Sequence, residues 1–287
     1  MILVIGHGYV GAALVARLHE EGREVVAVNR SVDEKADYPL LEGDVSSAES
    51  MSRLADSLVG MPTAIVHCAS SSRGGGDAYR AVFLDGIANL QALFPGVPIF
   101  FTSSTSVYGQ TDGSVVTEES ETSPDRETSR ILVEAETLVR DGGGVALRLA
   151  GIYGPGRSIY LKRILEGTAK IEAGEVSRHV NQIHREDIIG GILHAIDSGE
   201  KGVFYNVVDN TPLTQREVYE KLADFFQKPH PPEAEPEKNR KRAWTDKIVS
   251  NAAFRATGWE PQFPSFLDAL KRDETFVPGV QALVEGG

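Results

Sequence analysis

A single cysteine in 287 residues, Cys68, excludes an intramolecular disulfide framework. It lies in the apolar run Ala64-Ile65-Val66-His67-Cys68 with nothing beside it to lower its pKa, so a buried strand thiol is expected rather than a nucleophile. Basic residues are also short: 29 Lys and Arg face 41 Asp and Glu, a net charge of −12. Such a chain repels nucleic acid and anionic membrane surfaces, and no basic block overrides that. No run of about 18 apolar residues occurs, and no charged leader opens the sequence. A soluble, cytoplasmic protein is the expectation. Neither a Gly-x-Ser-x-Gly elbow nor a Walker loop occurs, which disfavours hydrolase and phosphotransfer chemistry. His179, His184 and His194 lack metal-site spacing with carboxylates on one helix face, so no metal is expected.

What is present fits an ordinary globular protein. Hydrophobic residues make up 41% and charged residues 24%, and the length suffices to bury a core without covalent staples. Short apolar runs at residues 1–5, 25–28, 40–44, 64–68, 99–102 and 145–149 alternate with helical patterns near 10–21, 48–59, 78–94 and 128–140. This alternation implies a parallel sheet with right-handed crossovers, an α/β doubly wound (Rossmann) fold. Beyond residue 151 the spacing loosens, with helices expected near 186–197 and 214–227 and a strand near 203–208. Residues 228–241, with four prolines among charges, read as a loop. The expected domains are a dinucleotide-binding domain over 1–150, to which 181–208 return, and a smaller C-terminal substrate lobe over 151–180 and 209–287.

Gly6-His7-Gly8-Tyr9-Val10-Gly11 falls between the first strand and the first helix. There Gly6 allows a tight turn, Gly8 lets a pyrophosphate approach the backbone, and Gly11 lets the helix pack on the strand. The helix N-terminus then offers its free N–H groups and positive dipole end to the phosphates. At the end of the second strand, where a carboxylate would bind the ribose hydroxyls of NAD, stand Asn29 and Arg30. The guanidinium fork suits a 2′-phosphate, which favours NADP over NAD, with a solvent-facing Arg30 as the alternative. Asp44 and Val45 follow the third strand, Asp44 as a partner for the adenine amino group or as a turn cap. Cys68, Ala69, Ser70 and Thr102 complete the expected cofactor contacts at strand ends.

Five stretches in order give the chain its resemblance to a known group: residues 6–11; His67-Cys68-Ala69; Thr102-Ser103-Ser104-Thr105-Ser106-Val107-Tyr108-Gly109; residues 147–156; and Asn181-Gln182-Ile183-His184-Arg185-Glu186-Asp187. The chain resembles an extended short-chain dehydrogenase/reductase, the group that includes nucleotide-sugar epimerases and dehydratases. Val249-Ser250-Asn251 and Thr257-Gly258-Trp259 fit that group's C-terminal end. The resemblance implies that Ser104 hydrogen-bonds a substrate oxygen; a strand-end serine bonded to backbone is the alternative. It also implies a tyrosine four residues before a lysine as the proton-transfer pair. Here those positions hold Arg126 and Arg130. Arg130 can still hold the nicotinamide ribose, but Arg126 stays protonated and cannot act as an acid or base. The chain is similar to an atypical subgroup that lacks the tyrosine. Gly151 and Val180 replace an asparagine and an arginine with which the group often grips a nucleotide diphosphate.

Tyr108, Tyr153, Tyr160 and His184 are the titratable groups left in the motif stretches, each with a packing role as the simpler reading. Tyr153 is the catalytic candidate among them. Arg157 and Asn181 join Ser104 and Tyr153 as substrate candidates, and Arg73 in the loop after the fourth strand is a weaker one. Two functions remain open: an NAD(P)-dependent epimerase/dehydratase-type oxidoreductase on a small carbonyl or sugar-type substrate, or a non-redox NADP-binding sensor or interaction module. The resemblance also implies a homodimer through the helices near 78–94 and 128–140.

Overall fold

The apolar runs become the strands of one sheet. The computed structural model describes residues 1–32, 36–71, 74–174, 177–235 and 245–286. Its central strands are β1 (Ile2–Ile5), β2 (Val25–Asn29), β3 (Leu40–Glu42), β4 (Ala64–His67), β5 (Ile99–Ser104), β6 (Val145–Leu149) and β7 (Val203–Val207). They form a seven-stranded parallel sheet in the order β7-β6-β5-β4-β1-β2-β3. Ile2 lies opposite both Val25 and Ala64, and the register holds to Ile5, which lies opposite Val28 and His67. Every residue of β1, β4 and β6 is buried, as strands covered on both faces by helices require. At the edge, β3 has no buried residue. The order reverses between β1 and β4, and in such sheets ligands bind beyond the strand ends at that point.

Helix α1 (Gly11–Glu20) buries Leu14, Val15 and Leu18, and α2 (Ala48–Ser57) buries Met51 and Leu54. The Ser47 hydroxyl caps α2 by accepting the Ser50 N–H at 3.2 Å. The helix expected near 78–94 is not uniform. Gly76–Tyr79 and Gly86–Leu93 are α-helical, while Arg80–Asp85 between them winds as a π-helix. Inside that stretch the Val82 carbonyl accepts a hydrogen bond from Nε2 of the buried His67 at 3.1 Å. A carbonyl only accepts, so Nε2 carries the proton; Nδ1 is buried without a hydrogen-bond partner among the described residues. Burial pushes the His67 pKa down to about 4, which keeps the ring neutral. Helix α3 (Glu127–Asp141) follows β5 in the chain and buries Ile131, Leu132, Ala135 and Val139.

The chain divides into two compact units. The first comprises Met1–Val107, Thr122–Arg148 and Ile189–Tyr205, and the second Tyr108–Glu121, Leu149–Ile188 and Asn206–Gly287. The second is built from two- and three-residue strand pairs and short helices. Gly151–Tyr153 pairs with Gln182–His184, and Val115–Val116 with Ile248–Val249, both in parallel. Tyr153, Leu161, Tyr219, Phe266 and Phe276 lie in its core. The expected loop over 228–241 is corrected in part: Glu233–Ala234 pairs in parallel with Ile171–Glu172, and residues 236–241 lie outside the described residues. No helix among the described residues is long and apolar enough to cross a membrane.

Candidate functional site

At the end of β1 the three loop glycines have three different surroundings. Gly6 has φ +98°, and a Cβ there would sit 2.5 Å from the Ala69 backbone. A Cβ on Gly11 would run into the Gly6 carbonyl oxygen. A Cβ on Gly8 would meet nothing within 4 Å. Two glycines therefore close the turn, and the third opens it toward empty space beside α1. The first turn of α1 has no side-chain cap and no acidic residue. Within it the Ala12 N–H already donates to the Gly8 carbonyl at 2.8 Å, so an incoming anion would meet the positive dipole end and the N–H groups that precede Ala12, which fit a dinucleotide pyrophosphate. Tyr9 and Val10 are half-buried, and Nε2 of His7 lies 2.7 Å from the Tyr38 hydroxyl.

The other cofactor candidates surround the same strand ends. Asn29 spends its amide on the Ser31 carbonyl at 3.0 Å, while Arg30 is exposed. Asp44 Oδ1 accepts from both the N–H and the hydroxyl of Ser46, the turn-cap arrangement, which leaves Oδ2 for another donor. Val45 is buried, and its carbonyl accepts from Asn89. Cys68 lies just after β4 and is half-buried, not the buried strand residue expected; desolvation still pushes its thiol up to about 12, so it stays neutral. Thr102 donates to the His67 carbonyl at 3.1 Å, and Ser70 is exposed. Arg73 lies outside the described residues.

Ser104 ends β5 half-buried, and its Oγ accepts the Ser106 N–H at 3.2 Å, so the hydroxyl proton stays available to a ligand. The preceding Ser103 donates to Glu136 at 2.6 Å, and Glu136 is bound by Arg148 through Nε and Nη2. Sequence reasoning read Arg148 only as part of a motif and missed this buried pair.

Arg126 is the N-cap of α3 and has extended backbone (φ −90°, ψ 137°). The tyrosine position of the resemblance therefore lies outside the helix that carries Arg130. Arg130 is exposed and donates to the Asp125 carbonyl at 2.8 Å.

Within the second unit, Tyr153 is 1% exposed, packed against His184, Phe266 and Phe276 at ring distances of 5.0–5.4 Å. Its hydroxyl has no partner among the described residues, and burial together with Asp209, Asp187, Asp268 and Asp273 holds its pKa far above the usual phenol range. This environment supports packing, not proton transfer. Tyr108 is fully buried, with its hydroxyl 2.9 Å from both the Thr117 carbonyl and Asn206 Oδ1. Arg157 is exposed beside the bridge it forms with Gly154.

His184 is buried, 3.0 Å from Asp273, with its pKa lowered by burial against the pull of that carboxylate. Asp187 serves more than its own helix, since its carboxylate accepts the N–H groups of Gln262 and Phe263. Asn181 has both ends of its amide committed: Nδ2 donates to the Lys247 carbonyl at 2.9 Å, and Oδ1 accepts the Val249 N–H at 2.8 Å. Lys247 itself is 4% exposed. Its only sequence signal was a lone lysine preceding Val249-Ser250-Asn251.

A model of the NAD dependent epimerase/dehydratase family matches residues 2–208. Protein YeeZ of Escherichia coli (strain K12) is 27% identical over 277 residues, covering 92% of this chain and 96% of YeeZ. A structure from Methylobacillus flagellatus, provisionally named an NAD-dependent epimerase/dehydratase, is 25% identical with a TM-score of 0.76 over 98% of each chain. The UDP-glucose 4-epimerase of Thermus thermophilus, solved in complex with NAD, shares the fold with a TM-score of 0.79 at 21% identity, over 98% of this chain and 99% of that one.

Proposed function

We propose that this chain, which belongs to the NAD-dependent epimerase/dehydratase family, is an oxidoreductase of that type with a non-standard active site, acting on a small carbonyl or sugar-type substrate with NADP preferred to NAD. The observation that carries the reading is the glycine turn, closed at Gly6 and Gly11 and open at Gly8. A ligand needing close backbone approach accounts for the lack of a side chain at the open position as well. When bound, the nicotinamide supplies the hydride acceptor or donor.

The N–H groups at the start of α1 bind the pyrophosphate, and Arg30 after the end of β2 meets the 2′-phosphate. Ser104 orients the substrate oxygen with its remaining proton, and Arg130 holds the ribose. The absent diphosphate anchors at Gly151 and Val180 support a substrate smaller than a sugar nucleotide.

Fluorescence titration with NADP⁺ and NAD⁺ tests the cofactor assignment, with tighter binding of NADP⁺ expected and tighter binding of NAD⁺ refuting it. NADPH oxidation across aldehydes, ketones and keto-sugars tests the activity. A second reading, a non-redox NADP-binding module, draws on Arg126, whose guanidinium cannot exchange a proton at neutral pH. Cofactor binding without turnover on any member of that panel would select it.

A further inference from the structure

Lys247 is 4% exposed, and its Nζ donates to the Tyr108 carbonyl at 2.8 Å, its sole hydrogen bond among the described residues. An ammonium carries three N–H donors, so two are left without a protein acceptor there. Nor, among the described residues, does a counter-charge act on it: burial is the cause that moves its pKa. The adjacent carboxylate, Asp246, is turned to His179, accepting its backbone N–H at 2.9 Å and lying 2.8 Å from its Nδ1. Two titratable groups on the neighbouring loop, Tyr108 and Glu118, are engaged elsewhere. The Tyr108 hydroxyl meets Thr117 and Asn206, and Glu118 accepts the Asn206 N–H at 2.7 Å.

The backbone that carries this amine is fixed. Asn181 brackets it from both sides, and Ile248–Val249 pairs with Val115–Val116. A buried charge with no partner is costly, and an apolar side chain of similar length would pack as well. Packing alone therefore does not account for a lysine here.

We propose that Lys247 is the residue with which the second unit reads an anionic oxygen: its two remaining N–H groups bind a carboxylate or phosphate oxygen of a small substrate. The inference rests on the proposed function only in calling that ligand a substrate, since the anion site needs no dinucleotide. Burial lowers the amine to about 8, so it loses its proton in mildly alkaline solution when no anion is present. A bound anion favours the charged form and raises that midpoint. Binding is then coupled to proton uptake and weakens as the pH rises through about 8.

The test uses the full chain carrying [ε-¹³C]lysine, with the Lys247 resonance assigned by its loss in Lys247→Met, or in Lys247→Arg should the methionine variant not fold. The resonance is titrated with pH alone, with pyruvate and with inorganic phosphate. The expected result is a midpoint near 8 that one anion raises by about one unit, pyruvate marking a carboxylate ligand and phosphate a phosphate ligand. A midpoint that neither anion moves would reduce Lys247 to a hook on the Tyr108 carbonyl and overturn the proposal. A midpoint in the ordinary lysine range would overturn it as well. NADP⁺ binding by the wild-type protein, measured in the same buffers, keeps the two readings apart: its failure counts against the proposed function and leaves the anion result standing.

Discussion

Replacing Arg148 by methionine keeps most of the stem and removes the guanidinium from a site with no solvent to replace it. The Arg148 and Glu136 side chains are 4% and 1% exposed, with Nη2 2.7 Å from Oε2 and Nε 3.1 Å from both carboxylate oxygens. The Phe204 ring lies 4.7 Å from the guanidinium carbon on one face. After the substitution Glu136 keeps the Ser103 hydroxyl as its hydrogen-bond donor and has lost its counter-charge. Removing one partner of a buried pair costs about 3–5 kcal/mol, because the other is left dehydrated and uncompensated. Removing both, as Glu136→Leu with Arg148→Met, should recover most of that loss, since apolar replacement of a buried pair is often close to neutral. Urea unfolding followed by circular dichroism reads both variants. A single substitution costing under about 1 kcal/mol, the value of an exposed pair, would refute the reasoning. So would a double variant less stable than the single one. The pair also has a bearing on the site, because Ser103, which it holds, directly precedes Ser104 on β5.

The glycine turn predicts opposite phenotypes for two neighbouring substitutions. Gly8→Val should fold as the wild type does and lose dinucleotide binding, because its Cβ enters open space, whereas Gly11→Ala should lower the melting temperature through its clash with the Gly6 carbonyl; cofactor titration beside thermal melting checks both, and undiminished binding by Gly8→Val would contradict the assignment. Burial raises the Asp187 carboxyl to about 7 despite its two backbone donors, so the native state favours the protonated form. Its contribution to stability is therefore present below the usual carboxylate range and lost as pH rises through about 7. The melting-temperature advantage of wild type over Asp187→Asn should shrink across that window, and an advantage that grows instead would show that the backbone donors outweigh burial.

The sheet was legible because parallel strands buried on both faces read as unbroken apolar runs. Val145–Leu149 has the bounds expected from sequence, and β1, β2 and β4 are displaced by one residue at a terminus. The second unit was legible in one helix, expected near 214–227 and found over Gln215–Phe225, and the rest of it was not, for a physical reason. Its strands are two or three residues long, and helices such as Ala252–Ala256 and Phe266–Arg272 complete too few turns for a 3.6-residue period to emerge. The glycine turn could be read from spacing alone because its shape lies in the backbone. Side-chain roles could not, since they depend on partners distant in sequence. Asn181, a substrate candidate, spends its amide on residues 66 and 68 positions away, and Tyr153, a catalytic candidate for which packing was the simpler reading, is covered by aromatic rings from three other elements.

The π-helical stretch at Arg80–Asp85 has a consequence for how this chain tolerates length change. A π turn holds more residues than an α turn, so the stretch absorbs a surplus residue locally and the α-helical segments on either side keep the phase of a helix one residue shorter. Deleting one residue there would let the stretch rewind as α-helix with Asp77 and Tyr79 facing as they do now relative to Ile87 and Leu90, while the Val82 carbonyl would return to the helix and leave His67. Rewinding without the deletion would instead swing the two segments apart by about 100°. The π turn is thus the one place in this helix where a residue can be lost without turning a buried face outward.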